Sequence, residues 1–110
     1  MLNQIGFYQL DNLISNRVPF LFINMAQSLA PLYHSVSRVH VQTHERLCSA
    51  ENAWNEIISS GAPKSAAIVL LCENGLASSE LCRKLEESSY TNVYVINGGY
   101  QQIVTERGQI

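Results

Sequence analysis

The sequence predicts an α/β domain built on a largely parallel sheet. Three short, continuously apolar runs at 20–23, 67–71 and 93–96 are typical of strands buried on both faces. Segments with helical spacing of apolar residues lie between these runs. Strand alternating with helix favours a parallel sheet, because a crossover helix carries the chain back to begin the next strand in the same direction. The length of 110 residues suits one compact domain.

Three helices are predicted between and around the apolar runs. The first precedes 20–23, the second follows Ser49, which is placed to cap it, and the third begins at 76–78. A weaker strand candidate, Val39-His40-Val41, lies between the first run and the second helix. The residues expected to face inward are Phe7, Leu10, Leu13 and Ile14 in the first helix, Ala50, Ala53, Trp54, Ile57 and Ile58 in the second, and Ala77, Leu81 and Leu85 in the third.

Composition and charge exclude several classes of protein. Apolar residues make up 46% of the chain and charged residues 15%, which is unlike a disordered segment. The net charge is -2 and no basic run occurs, so neither nucleic acid nor an anionic membrane is expected as a partner. No apolar stretch approaches the roughly 20 residues of a membrane-spanning helix, and no secretory signal is visible. Three cysteines without a framework spacing favour a reducing compartment, so a cytoplasmic protein is expected.

The segment 72–79 carries the strongest signal for chemistry. Cys72 directly follows the apolar run 67–71, a short loop turns around Gly75, and a helix is predicted to follow. In this geometry several backbone N–H groups and the positive end of the helix point toward the sulfur, and they would stabilise a thiolate, a persulfide or a bound oxyanion. The functional interpretation is a nucleophilic cysteine in an anion-binding cradle. The alternative is a small buried residue that ends a strand.

Two other uses of such a cradle fit the spacing less well. Cysteine-dependent phosphatases resemble Cys-x5-Arg, whose arginine pairs with phosphate, whereas the sixth residue after Cys72 is Ser78 and the nearest arginine is Arg83. The loop also resembles that of sugar-phosphotransferase B subunits, which carry phosphate on a cysteine. In those proteins most of the domain follows the loop, but only 38 residues follow Cys72 here (110 minus 72). A phosphocysteine carrier is therefore the weaker hypothesis.

Five segments, in order along the chain, resemble one family. They are Leu10-x-x-Leu13-Ile14, Phe22-Ile23-Asn24-Met25-Ala26, the segment 33–41 from Tyr33-His34 to His40-Val41, Leu71-Cys72-x-x-Gly75-x-x-Ser78, and the segment 90–99 that ends Asn97-Gly98-Gly99. Their order and spacing are similar to those of single-domain rhodaneses, the sulfurtransferase family. The resemblance covers nearly the whole length, so 1–110 is expected to be a single rhodanese-like domain. It implies a five-stranded, mainly parallel sheet with helices on both faces.

The resemblance also implies a mechanism. In this family the loop cysteine attacks a sulfane-sulfur donor such as thiosulfate and becomes a persulfide, and cyanide or a cellular thiol then removes the sulfur. Cys72 would be the catalytic nucleophile and the sulfur carrier, and Gly98 and Gly99 would let the next strand-to-helix turn pass close to it. The expected partners are a small sulfur donor or thiol acceptor, or a partner protein that donates a persulfide, and no cofactor or metal is expected. The residues whose backbone amides would bind the terminal sulfur are Glu73, Asn74, Gly75, Leu76, Ala77 and Ser78.

Several departures from the family pattern make the loop less favourable for binding the thiosulfate dianion. The family often has an arginine just before the serine of the loop, where this chain has Ala77, and Glu73 follows the cysteine directly. Glu73 is expected to raise the pKa of Cys72 and to repel a dianionic donor. The family's aspartate and arginine of the second segment are Asn24 and Ala26 here. A weak thiosulfate:cyanide activity is therefore expected, and the alternative is a catalytically quiet module that binds a partner or serves in regulation.

The remaining candidates for chemistry are a group of histidines and cysteines. His40, His44 and Cys48 are spaced by four and could ligate zinc if they shared one helix face, but the strand expected at 39–41 argues against this. Cys82 is expected inside the third helix, beside the buried residues. Cys48 and Cys82 are therefore interpreted as structural thiols, and Cys72 as the nucleophile.

Overall fold

Strands and helices alternate along the chain in a computed structural model that describes residues 4–16, 20–32 and 35–108. Within these residues the strands are β1 Gln4–Ile5, β2 Leu21–Asn24, β3 Glu45–Leu47, β4 Ile68–Leu71 and β5 Val93–Ile96. The helices are α1 Phe7–Ser15, α2 Ser35–His44, α3 Ala50–Ser59, α4 Leu76–Glu87 and α5 Gly99–Gly108, and a short 3-10 turn spans Ala30–Leu32. The three apolar runs predicted as strands correspond to β2, β4 and β5, and the three predicted helices correspond to α1, α3 and α4.

The strands form one sheet in the order β1-β5-β4-β2-β3, and each neighbouring pair is parallel. The predicted α/β class with a five-stranded, mainly parallel sheet is therefore confirmed. β2 lies between β3 and β4, and Asn24 at its end is in register with Leu47 and Leu71 at the ends of those strands. The carboxyl ends of three adjacent strands thus meet at one edge of the sheet, where the ligand sites of parallel sheets usually lie.

Helices cover both faces of the sheet, and each face has its own apolar core. Alternate residues of the central strands point to opposite faces. Phe22 and Val69 pack with α1, α2 and α5, whereas Ile23 and Leu70 pack with α3 and α4. Burial on both faces is the physical reason for continuous apolar runs, and β4 is buried along its whole length. Within the described ranges, none of these helices is long and apolar enough to cross a bilayer.

The predicted strand at 39–41 is wrong, because these residues lie inside α2. Val41 is buried in the core from a helix, so its apolar character reflects helix packing. The third strand is instead the edge strand β3, whose first residue is held by polar contacts. The Glu45 carboxylate accepts hydrogen bonds from the Ser28 hydroxyl and, at 3.1 Å, from the Leu29 N–H. A short edge strand of this polarity has no apolar pattern that periodicity can detect.

The other edge strand, β1, is two residues long and pairs with β5 through Ile5 and Ile96. Periodicity does not predict so short an element, and only the family resemblance implied a fifth strand. Tyr33 and His34, which form part of the third resembling segment, lie outside the described residues.

Candidate active site

Cys72 lies at the carboxyl end of β4, with only 3% of its surface exposed. The chain then turns through 73–75 and enters α4 at Leu76. Gly75 makes this turn possible, because its φ of 93° lies in the left-handed region that residues with a Cβ rarely adopt. The first turn of α4 therefore begins directly beside the sulfur, as the sequence predicts.

Hydrogen bonds with the loop and with the first turn of α4 surround the Cys72 sulfur. The backbone N–H groups of Gly75 and Ser78 donate to Sγ, with N···S distances of 3.0 and 3.4 Å. The thiol itself donates to Ser78 Oγ at 3.3 Å, and the Ser78 hydroxyl donates to the Gly75 carbonyl at 3.3 Å. Ser78 is fully buried, so its side chain is held in place beside the sulfur. When the thiol loses its proton, the same hydroxyl can turn to donate to the thiolate.

The pKa of Cys72 lies below its ordinary value. Burial is the largest single influence and raises the pKa, because it disfavours the charged thiolate. Hydrogen bonds from the Ser78 hydroxyl and from the backbone N–H groups of Ser78, Gly75 and Asn74 lower the pKa, and together they outweigh burial. A larger fraction of this buried thiol is therefore ionised near neutral pH than of an ordinary cysteine, and the thiolate is the nucleophilic form.

Glu73 does not set the pKa of the nucleophile, and the expectation that it raises this pKa is wrong. The pKa of Cys72 is lowered, and the groups responsible are the hydrogen-bond donors at 74–78. The Glu73 side chain is exposed to solvent. Water screens an exposed carboxylate, whereas donors in contact with a buried sulfur act at close range with little screening. Glu73 still leaves a negative charge in the loop beside the sulfur.

The turn after β5 passes directly behind the cysteine loop. The Tyr100 N–H donates to the Cys72 carbonyl at 2.7 Å, and the Gln101 N–H donates to the Glu73 carbonyl at 3.0 Å. Gly99 has a φ of 68°, and a Cβ at this position would lie 2.4 Å from the Cys72 carbonyl oxygen. Only glycine fits so close an approach of two backbones. The expectation that the double glycine brings this turn next to the site is confirmed.

Asn24 stands at the end of β2, where the family pattern has an aspartate, and it is fully buried. Its amide nitrogen donates to the Gln27 carbonyl at 2.8 Å and to the Glu45 carboxylate at 3.2 Å. Its amide oxygen accepts a hydrogen bond from the Ala26 N–H at 2.9 Å. An aspartate here would place a second carboxylate against Glu45. Sequence reasoning missed Glu45 as the partner that orders this loop, because no periodic pattern links residues 21 positions apart.

The other two thiols, Cys48 and Cys82, are free and have different surroundings. Burial and, to a lesser extent, Glu86 raise the pKa of Cys82 to about 11. Burial and then Glu56 raise the pKa of Cys48. Both thiols are therefore protonated near neutral pH, which suits structural roles better than nucleophilic ones.

The candidate zinc ligands do not share one helix. His40 and His44 belong to α2, whereas Cys48 lies beyond β3. The side chains of His40 and His44 are outside the described part of the structure. Among the residues that it does describe, no three His, Cys, Asp or Glu residues are grouped so that they could hold a metal ion.

The predicted binding residues of the loop fall into two groups. Asn74, Gly75 and Ser78 direct backbone N–H groups at the sulfur. Leu76 is 69% exposed, and its own N–H donates to the Asn74 side-chain oxygen at 3.1 Å, which stabilises the turn. Ala77 is half-buried and lines a groove between α3 and α4. The loop therefore surrounds the sulfur with backbone groups, while several of its side chains lie toward the solvent.

A family model for the rhodanese-like domain matches residues 27–106 of the chain. Two similar solved structures are themselves rhodanese-like domains. The rhodanese-like domain protein from Staphylococcus aureus is 14% identical, with a TM-score of 0.65 over 92% of this chain and 90% of that chain. The rhodanese-like domain of a protein from Anabaena sp. is 17% identical, with a TM-score of 0.67 over 96% of this chain and 76% of that chain.

A third similar structure is a variant of EanB, described as a cysteine persulfide in a tetrahedral intermediate state with ergothioneine. It is 15% identical with a TM-score of 0.60, and the similarity covers 86% of this chain but only 24% of that chain. At these identities the three structures show a shared fold alone. A comparison with curated proteins finds no match. Because the family model matches most of the sequence, the chain belongs to the rhodanese-like domain family.

Proposed function

We propose that the chain is a sulfurtransferase that carries sulfane sulfur as a persulfide on Cys72. The observation that carries this proposal is a buried sulfur at the carboxyl end of β4, with N–H donors from Gly75 and Ser78 directed at it. The lowered pKa of Cys72 supplies the thiolate that must attack the donor. Membership of the rhodanese-like domain family supports the same chemistry.

In the first step the Cys72 thiolate attacks the outer sulfur of the donor. A new S–S bond to Cys72 Sγ forms while the S–S bond of the donor breaks. The rest of the donor leaves with the bonding electron pair, as sulfite from thiosulfate or as a thiolate from a persulfide. The terminal sulfur now on Cys72 is anionic when ionised. The backbone N–H groups of the loop 73–75 and of the first turn of α4 would hold it, except that of Leu76, which donates to the Asn74 side chain.

In the second step an acceptor nucleophile attacks the terminal sulfur. A bond forms between the acceptor and that sulfur, the S–S bond to Cys72 breaks, and its electron pair returns to Cys72 as a thiolate. The Ser78 hydroxyl and the Gly75 N–H assist this step, because their hydrogen bonds to Sγ stabilise the departing thiolate. The enzyme is then ready for the next donor.

The charge of the loop argues against thiosulfate as the natural donor. The segment 72–79 contains Glu73 and no lysine or arginine, and the family's basic position is Ala77. A dianion must therefore approach an exposed carboxylate without a compensating cation in the loop. We expect a donor without a net negative charge to transfer sulfur to Cys72 faster than thiosulfate does. All three thiols are free, which suits a reducing cytoplasm as the place of action.

A catalytically quiet binding or regulatory module is the second candidate function. The observation that favours it is the absence of two basic side chains of the family pattern, at Ala77 and Ala26. Such a module would keep the fold and the buried cysteine, but it would not form a persulfide on Cys72.

Intact-protein mass spectrometry after incubation with thiosulfate, polysulfide and cysteine persulfide distinguishes the two functions. A sulfurtransferase gains the mass of one sulfur atom and loses it again when cyanide or a thiol is added. Cys72→Ser must abolish the gain, whereas Cys48→Ser, which removes a partly exposed thiol of raised pKa, must retain it. If the wild-type protein gains no sulfur from any of these donors, the sulfurtransferase function is contradicted, and the catalytically quiet module is the function that stands.

A further inference from the structure

An open groove between α3 and α4 begins beside the cysteine loop. Its volume is about 310 Å³. Ala77, in the first turn of α4, lines the end of the groove next to the cysteine loop. The next residue, Ser78, donates its backbone N–H to the Cys72 sulfur. The groove therefore starts next to a hydrogen-bond partner of the nucleophile. Its apolar lining consists of Ala50, Trp54, Ala77 and Leu81.

The small side chain of Ala77 leaves the groove open at the end next to the cysteine loop. Ala77, Leu81 and Lys84 line it at helical spacing, so it extends about 10 Å along the axis of α4. Thiosulfate needs far less space, whereas an aliphatic side chain on an extended polypeptide segment fits a groove of this size.

The rim of the groove near the nucleophile is negatively charged. Glu51 on α3 and Glu80 on α4 line the groove, and Glu73 is exposed in the adjacent loop. The Lys84 ammonium lies further along α4, 4.7 Å from the centre of the Trp54 ring, where a cation–π contact holds it. The groove and the adjacent loop thus carry three carboxylates and one ammonium group, and Lys84 lies two helical turns beyond Ala77 on α4. A segment with lysine or arginine beside its reactive cysteine complements this arrangement.

We propose that this groove docks a basic polypeptide segment whose cysteine carries the persulfide that transfers sulfur to Cys72. The proposal rests on the proposed sulfurtransferase function, and it adds the surface that receives a protein donor and the charge of the segment that binds there. An aliphatic side chain of the segment occupies the groove, and its basic side chains lie against Glu51 and Glu80.

The transfer itself needs no oxidant or reductant. The Cys72 thiolate attacks the outer sulfur of the partner's persulfide, and a new S–S bond to Cys72 forms as the partner's S–S bond breaks. The partner's cysteine leaves with the electron pair as a thiolate, and the proton of its persulfide passes to solvent.

Two synthetic peptides test the docking. Each contains one cysteine persulfide and one leucine, and the two differ only in a pair of flanking residues, which are lysines in one and glutamates in the other. The rate at which Cys72 gains sulfur is followed by intact-protein mass spectrometry at low and at high salt. We expect the lysine peptide to react about tenfold faster at low salt, and the difference to shrink at high salt because ions screen the carboxylates.

A matched pair of charge reversals tests whether the preference for the lysine peptide comes from the groove. Glu80→Lys changes the rim of the groove, whereas Glu87→Lys makes the same change of charge at the exposed end of α4. Each glutamate lies four residues from a basic residue on the same helix, Lys84 or Arg83, so the local effects on the helix are comparable. We expect Glu80→Lys to remove most of the preference for the lysine peptide and Glu87→Lys to leave it unchanged.

The outcomes separate this inference from the function on which it rests. If the glutamate peptide or free cysteine persulfide reacts as fast as the lysine peptide, sulfur transfer to Cys72 stands and the docking is overturned. The same conclusion follows if Glu80→Lys and Glu87→Lys behave alike. If no donor transfers sulfur to Cys72, the proposed function fails and the docking fails with it.

Discussion

Replacement of Gly99 by alanine tests the closest contact between the two turns at the site. An alanine Cβ there would lie 2.4 Å from the Cys72 carbonyl oxygen and 2.8 Å from the Asn74 nitrogen, at a φ of 68°. The positive φ alone costs about 1–2 kcal/mol for a residue with a Cβ. Displacement of packed backbone adds roughly 1–3 kcal/mol. We therefore expect Gly99→Ala to lower the free energy of unfolding by about 2–5 kcal/mol.

Gly61→Ala provides the matched control for this measurement. Gly61 has a φ of 72°, but a Cβ there would meet no heavy atom within 4 Å. It therefore isolates the cost of the positive φ, about 1–2 kcal/mol. Urea denaturation followed by circular dichroism gives both free energies, and the thermal midpoints should fall by about 4 °C per kcal/mol. If Gly99→Ala is no more destabilising than Gly61→Ala, the reasoning about the close approach behind the cysteine loop is refuted.

Three further predictions concern the site and its support. Ser78→Ala removes a hydroxyl that stabilises the Cys72 thiolate, so we expect the pKa of Cys72 to rise. The pH dependence of Cys72 alkylation by iodoacetamide should then shift to higher pH. An unchanged pH dependence would exclude this role of the hydroxyl. Ala77→Arg adds a cation near the sulfur and should lower the KM for thiosulfate by about tenfold in the cyanide assay, and an unchanged KM would contradict the charge argument. Asn24→Asp places a carboxylate against Glu45 and should destabilise the fold by about 1–3 kcal/mol. Glu45→Gln should then restore most of that stability in the double variant, and equal destabilisation in both backgrounds would show that the two residues are not coupled.

Local patterns in the sequence were sufficient for the fold class and for the position of the candidate nucleophile. Buried strands show as continuous apolar runs because helices cover both of their faces, as they do for β4. The cysteine loop and the double glycine are visible because a positive φ favours glycine, and Gly75 and Gly99 both have one. These features depend on residues that are close together in the chain.

The edge strand β3 and the pKa of Cys72 could not be predicted in the same way. β3 has no apolar pattern. Its Glu45 is bound by Asn24 at the end of β2 and by residues of the following loop, which lie 16 to 21 positions away in the sequence. For Cys72, burial and hydrogen bonds act on the pKa in opposite directions. Their balance depends on distances of a few tenths of an ångström, which the order of residues does not contain.

The groove beside the site belongs with these nonlocal features, because Ala50 and Ala77 line one cavity from two helices that are separated in the chain by β4. By itself the sequence determined the α/β fold, the central strands and the loop that holds Cys72, since these follow from local backbone requirements and from burial patterns. Only the tertiary structure decided which groups meet around the sulfur and which charges border it. The physical reason is that such contacts depend on how the helices pack against the sheet, and residues from distant parts of the chain set that packing together.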